Sequence, residues 1–129
     1  MVQIGCGGII IKENKVLLIR RINAKTFNEM WANPGGKIED GESVENACIR
    51  ELHEELGIKI RIIRKISEYH DYKNNELFGK YTGFLVTIES GEPMIKEPNK
   101  IAELKYWSLN DLPNNIAPYT TQYLKDLHK

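Results

Sequence analysis

Hydrophobic positions follow two periods along the chain. Gln3–Lys12 and Lys15–Arg20 are apolar runs rich in β-branched residues, and the pair Glu13-Asn14 between them predicts a hairpin. Lys59–Tyr69 and Tyr81–Glu89 are rich in β-branched or aromatic residues and predict two further strands, joined across polar Asp71–Glu76. Leu104–Ser108 predicts another strand, and Asn23–Glu29 a polar loop. Between them the period changes. Val44, Cys48, Leu52 and Leu56 recur every four residues, which makes one apolar stripe on a helix over Val44–Leu56. Tyr119–Leu127 predicts a closing helix, with Pro118 suited to its start. Strands bracket a helix without regular βαβ alternation, so the expected fold is α/β, a mixed sheet with helices on both faces.

The ends of the first helix are written in its sequence. Ser43 is a good N-cap, because its hydroxyl accepts from a first-turn N–H that lacks a helical partner. Glu45 stands near the positive end of the helix dipole, and Gly57 suits the left-handed residue that closes many helices. Glu51, Glu54 and Glu55 stand at i, i+3 and i+4, so they share one arc flanking the apolar stripe. Carboxylates about 6 Å apart repel by roughly 3 kcal/mol per pair at an effective dielectric near 20. Beside a sheet, solvent screens only part of that, so a cation is called for. Oxygen-only ligands suit a hard ion, Mg²⁺ first and Mn²⁺ second. The plainer alternative is a solvated acidic face, with Arg50 paired to Glu54 along the helix. The loop ahead of the helix tips the balance. Pro34-Gly35-Gly36 leads into Lys37-Ile38-Glu39-Asp40-Gly41-Glu42, which can bring backbone groups close to an ion or phosphate.

At 129 residues the chain is expected to form one domain, residues 1–129, with a self-sufficient core. Eighteen Lys and Arg balance eighteen Asp and Glu, which argues against bulk nucleic acid or an anionic membrane surface as partner. The opening Met1–Ile11 is apolar but holds three glycines and no basic flank, and reads as strand rather than signal or span. Cys6 and Cys48 follow no metal or disulfide spacing and are expected to be buried or neutral thiols in a cytoplasmic protein, monomer or homodimer.

Gly36–Ile58 also resembles, position by position, the signature of the Nudix hydrolases, G-x5-E-x7-R-E-U-x-E-E-x-G-U with U a bulky aliphatic. Gly36, Glu42, Arg50, Glu51, Leu52, Glu54, Glu55, Gly57 and Ile58 fill its fixed positions without insertion. The resemblance implies an α/β/α sandwich and hydrolysis of a nucleoside diphosphate linked to another group. It makes Glu51, Glu54, Glu55 and the Gly36 carbonyl metal ligands. It also has Arg50 holding Glu42 to orient the helix, and Glu54 is the favoured general base. W-x-x-P-G-G-K-I-E-x-G-E, present as Trp31 to Glu42, resembles MutT-type members. Those carry a further metal-linked Glu where this chain has Lys100, with Glu97 and Glu103 as the nearest acids able to substitute.

Marks of other subgroups are absent. No proline lies between Gly57 and Pro93, as ADP-ribose hydrolases of the family would have, and Asn74, Asn75 and Glu76 stand where dinucleoside polyphosphate hydrolases tend to have a tyrosine. What remains is a small-molecule nucleotide substrate, a (deoxy)nucleoside triphosphate cleaved to monophosphate and pyrophosphate. ADP-ribose or another diphosphate conjugate is the alternative, and an inactive nucleotide-sensing module the alternative of another class. Thr120 occupies the place of the Asn that reads oxidised guanine in MutT-type enzymes, and offers one hydroxyl where an amide has donor and acceptor. Arg20, Arg21, Phe27, Trp31, Gly35 and Tyr119 complete the candidate substrate contacts, with Phe78 a further aromatic. For the aromatics the plainer reading is core or rim packing, and for the arginines a surface cation. His53, His70 and His128 have no ligand-like setting.

Overall fold

The computed structural model describes residues 2–129; Met1 of the opening stretch lies outside the described residues. In chain order the elements are β1 (Gln3–Lys12), β2 (Lys15–Arg21), β3 (Trp31–Ala32), β4 (Gly35–Lys37), α1 (Val44–Leu56), β5 (Lys59–Lys73), β6 (Glu76–Ser90), β7 (Ile101–Ser108) and α2 (Pro118–Asp126). β1 is the hinge of the sheet. Along Gln3–Ile10 it pairs parallel with β6, and at Gly5–Gly7 its other edge pairs antiparallel with β4. Only its last residues, Ile11 and Lys12, pair with β2, which carries β3 and β7.

The two faces of this mixed sheet carry separate cores. Cys6, Ile10, Leu17, Ile19, Phe84 and Val86 meet the α1 stripe of Ala47, Cys48, Leu52 and Leu56. Their neighbours in sequence, Ile9, Val16 and Leu18, point the other way and pack with Tyr123 of α2 and Trp31. The strand period of two thus feeds both faces, and the result is the expected α/β/α sandwich. Ser43 caps α1 by accepting from the Asn46 N–H at 3.1 Å, and Gly57 ends it at φ +71°.

Several boundaries differ from expectation. The polar stretch Asp71–Glu76 is strand on either side of a two-residue turn, Asn74-Asn75, so β5 and β6 form one hairpin paired out to Lys73 and Glu76. Asn74 and Asn75 both take positive φ, as do Glu13 and Asn14 in the β1–β2 turn, the backbone that matches strand twist. The hairpin end is polar because most of its residues face solvent, and a solvated ladder needs no apolar alternation. β3 and β4 were too short to read, β2 ends one residue later, β7 starts earlier at Ile101, and α2 is displaced by one residue. Among the described residues no helix is long and apolar enough to cross a membrane. Both cysteines are free and buried.

Gly83 of β6 lies under the buried ring of Tyr123, where an added Cβ would come within 2.5 Å of ring carbon. Gly83→Ala is therefore expected to destabilise the fold by about 1–3 kcal/mol through overpacking, measured as a lower urea midpoint at unchanged slope.

Candidate active site

The strand β4 brings the glycine loop against the carboxylates of α1. A Cβ on Gly35 would sit 2.1 Å from the Cys6 carbonyl oxygen, and one on Gly36 would sit 2.3 Å from the Glu51 carboxylate. Only bare backbone fits this gap. The Gly35 N–H then donates to Glu55 Oε1 at 2.9 Å.

Arg50 organises the outer side. Its Nε and Nη2 donate to the two oxygens of Glu42 at 2.6 and 2.9 Å, a two-pronged pair. Nη2 also donates to the Lys37 carbonyl at 2.9 Å, and Nη1 to Glu51 at 3.0 Å and Glu54 at 3.1 Å. One guanidinium thereby ties the loop to the helix. Its hydrogen bonds, with one from the Glu39 N–H, hold the Glu42 carboxyl at about 2.

The inner side is the reverse. Glu55 is 6% exposed, and burial, with the charges of Glu51 and Glu97, holds its carboxyl well above the usual carboxylate range. Burial also raises Glu51, more than Arg50 lowers it, and Glu54 and Glu97 add to the rise. Glu97 reaches this group because the segment before β7 is laced to the end of α1: the Lys96 N–H donates to the Glu55 carbonyl at 3.0 Å. Glu103 points elsewhere, to Arg20 at 3.4 Å on the β2–β7 surface. Of the two acids considered for the fourth carboxylate, Glu97 is the one beside the box.

No three His, Cys, Asp or Glu side chains among the described residues are gathered as a ready-made metal cluster. Arg50 is the cation shared by Glu51 and Glu54 in this structure. The donor set nevertheless suits a hard divalent ion. It is all oxygen, it is anionic, and its inner members are desolvated and mutually repelling.

A cleft of about 450 Å³ opens beside the glutamates, with Gly35, Gly36 and Glu55 in its wall. Arg21, Lys25, Lys37 and Lys100 also line it, against Glu55 as the one carboxylate of its wall. Phe27, Tyr81 and Tyr119 form its aromatic part, with ring centroids 5.2 Å apart for Phe27–Tyr119 and 5.7 Å for Tyr81–Tyr119. Burial pushes the Tyr119 hydroxyl up to about 12, so it stays protonated.

Not every candidate contact reaches this cleft. Arg21 does, and Arg20 does not, being spent on Glu29 and Glu103. Trp31 is buried edge-on against Trp107 and belongs to the core. Thr120 is fully buried with its hydroxyl engaged by Asn33, which lines the cleft in its stead. Phe78 lies under Lys73 near the hairpin tip. Asn33 and Tyr81 were not singled out from sequence. The amide directly before Pro34-Gly35-Gly36 was the available signal for the first. Nothing short of the β1–β6 pairing would have revealed the second.

The model of the NUDIX domain matches residues 1–127. The chain belongs to the Nudix hydrolase family. Its relatives within that family are diverse. An ADP-ribose pyrophosphatase of Methanocaldococcus jannaschii is 35% identical over 108 residues, 82% of this chain and 62% of that protein. An 8-oxo-dGTP diphosphatase of Buchnera aphidicola is 37% identical over 93 residues, 70% of this chain and 67% of that protein. The chain thus spans somewhat under two thirds of the archaeal relative. Among solved structures, a MutT Nudix hydrolase from Burkholderia pseudomallei superposes with a TM-score of 0.90 at 32% identity, covering 98% of both chains. The likeness is to MutT-type members in sequence and in fold.

The two sides of the site respond to pH in opposite directions. Glu42, held at about 2 against about 4.3 unfolded, stabilises the fold above the unfolded value, and this is lost as pH falls toward 2. Glu55 is raised, so its ionised form costs stability at neutral pH and the cost is relieved on acidification. In chelator, Glu55→Gln should melt several degrees above the native chain at pH 7, keeping the Gly35 hydrogen bond, and the gap should close near pH 4. Added Mg²⁺ should raise the melting temperature of the native chain and leave the variant little changed.

Proposed function

We propose that the chain is a Mg²⁺-dependent pyrophosphohydrolase that cleaves a nucleoside triphosphate to the monophosphate and pyrophosphate. One observation carries the reading. Desolvated Glu55 of α1 faces a cleft that is also lined by four cations and by aromatic rings. A polyanion with a flat ring at one end has that distribution of charge and apolar surface.

Glu51, Glu54, Glu55 and the Gly36 carbonyl would hold the ion, with Glu97 beside them. When bound, a divalent ion supplies charge neutralisation on the phosphates and a more acidic water. The protein's own residues do the rest. Arg21, Lys25, Lys37 and Lys100 hold phosphate oxygens and orient the chain for in-line attack. Arg50 keeps α1 in register with the loop by holding Glu42 and the Lys37 carbonyl. Glu54 is the most solvent-accessible of the three helix glutamates, its side chain 47% exposed, and takes the proton of the attacking water.

The likeness to an ADP-ribose pyrophosphatase supports a second reading, a nucleoside diphosphate linked to a sugar. The four cations of the rim favour the longer phosphate chain.

A panel of nucleoside triphosphates, nucleotide sugars and dinucleotides assayed with Mg²⁺ should give pyrophosphate from triphosphates at the highest kcat/KM. Absence of Mg²⁺-dependent cleavage across the panel would remove the enzyme reading and leave a nucleotide-sensing module. Glu54→Gln should lose about 10²–10⁴-fold in kcat with an unchanged melting temperature. Undiminished turnover would take this glutamate out of the mechanism.

A further inference from the structure

Cys6 and Cys48 are free thiols buried in the one core that packs under α1, and the mechanism above uses neither of them. Cys6 stands opposite Gly36 in the β1–β4 ladder, and its thiol donates to the Gly36 carbonyl oxygen at 3.7 Å. Cys48 lies on the apolar stripe of α1, one turn before Glu51, and its thiol is hydrogen-bonded to the Cys6 sulfur. The two thiols thus form a short row that ends on the glycine strip.

The two differ in access. Cys48 is fully buried, whereas Cys6 is 7% exposed and lines the cleft with Gly35 and Gly36. Buried thiols are ordinarily inert for want of access. Here the cleft supplies it on one side only. A small oxidant in the cleft meets Cys6, and Cys48 stands behind as the resolving thiol.

We propose that Cys6 and Cys48 are a peroxide-oxidised pair whose disulfide reversibly disables the active site. The Cys6 sulfur attacks one oxygen of hydrogen peroxide, the O–O bond breaks, and the thiol proton leaves with the second oxygen as water. Cys6 is then a sulfenic acid. The Cys48 sulfur attacks it, the S–O bond breaks, and the Cys48 proton leaves with the hydroxyl as a second water. Two thiols and one peroxide become one disulfide and two waters, and a thiol reductant restores both thiols. The sulfur atoms must close from hydrogen-bond contact to about 2 Å, which draws β1 and α1 together. The strip beside them has no slack. A Cβ on Gly36 would already lie 2.3 Å from the Glu51 carboxylate, and one on Gly35 2.1 Å from the Cys6 carbonyl oxygen. Gly36 and Glu51 both stand among the metal ligands proposed above, so the displacement falls on them. The pairing of the thiols is independent of the nucleotide reading, and the loss of turnover rests on it.

Hydrogen peroxide treatment of the native protein, read by mass spectrometry, should leave a single chain lighter by two hydrogens, with the Cys6 and Cys48 peptides linked. Dithiothreitol should reverse this. With Mg²⁺, kcat should fall by about 10²-fold on oxidation, the loss expected when catalytic groups are misplaced by about an ångström, and should return on reduction. Cys48→Ala should form no disulfide and should hold Cys6 as a sulfenic acid that dimedone traps. Cys6→Ser, compared with itself before peroxide, should lose no turnover. Thiols that stay free under peroxide sufficient to oxidise glutathione overturn the proposal, as does a disulfide only between two copies. So does an internal disulfide with turnover unchanged, or a Cys6→Ser protein that loses turnover as the native chain does. Should either variant fail to fold, the mass and turnover of the native chain decide. If no nucleotide is cleaved, the nucleotide reading fails separately, and the Mg²⁺-induced rise in melting temperature takes the place of turnover. That rise should vanish on oxidation and return on reduction; a rise absent from the reduced chain, or undiminished in the oxidised one, overturns the proposal.

Discussion

The site depends on a strip of backbone with no side chains. β4 passes between β1 and α1 so closely that a Cβ on Gly35 would strike the Cys6 carbonyl and one on Gly36 the Glu51 carboxylate. This closeness lets the Gly35 N–H reach Glu55. It also brings the Lys37 carbonyl to Arg50. A bulkier strand would hold the helix off the sheet and separate the loop from the carboxylates. Catalytic geometry and core packing share one steric constraint.

Around that strip the helix handles its acids in two ways. On the outer side Arg50 satisfies Glu42, Glu51 and Glu54 within the protein, with short, charge-assisted bonds. On the inner side Glu55 is buried with one backbone N–H and the offset of Arg21, while Glu51 and Glu97 press on it. The first arrangement fixes the helix to its loop. The second leaves negative charge only partly compensated at the mouth of a cleft whose remaining charged groups are cations. Structural and chemical duties are thus divided between faces one residue apart.

Legibility from sequence varied with how local the interactions are. α1 matched its expected limits, because the Ser43 cap, the four-residue stripe and Gly57 act within a turn or two of one another. The turn at Glu13-Asn14 was equally local. The outer half of the β5–β6 hairpin was not legible, since its pairing is set by a neighbouring strand and its residues are mostly solvated. Trp31 and Thr120 stood where contacts with a ligand were expected. Each is engaged by a segment far away in the chain, Trp31 by Trp107 of β7 and Thr120 by Asn33.

By itself, the sequence determined the fold class, the limits of the carboxylate helix and the grouping of Glu51, Glu54 and Glu55. Each follows from periodicity and spacing inside one segment. The tertiary structure decided which carboxylate is desolvated, that Glu97 rather than Glu103 joins them, and that Arg21 rather than Arg20 enters the cleft. It also decided that Asn33, held by Thr120 from the other end of the chain, lies in the wall of the cleft. Desolvation and convergence arise only when distant segments exclude water from a shared volume, and no spacing along the chain records that.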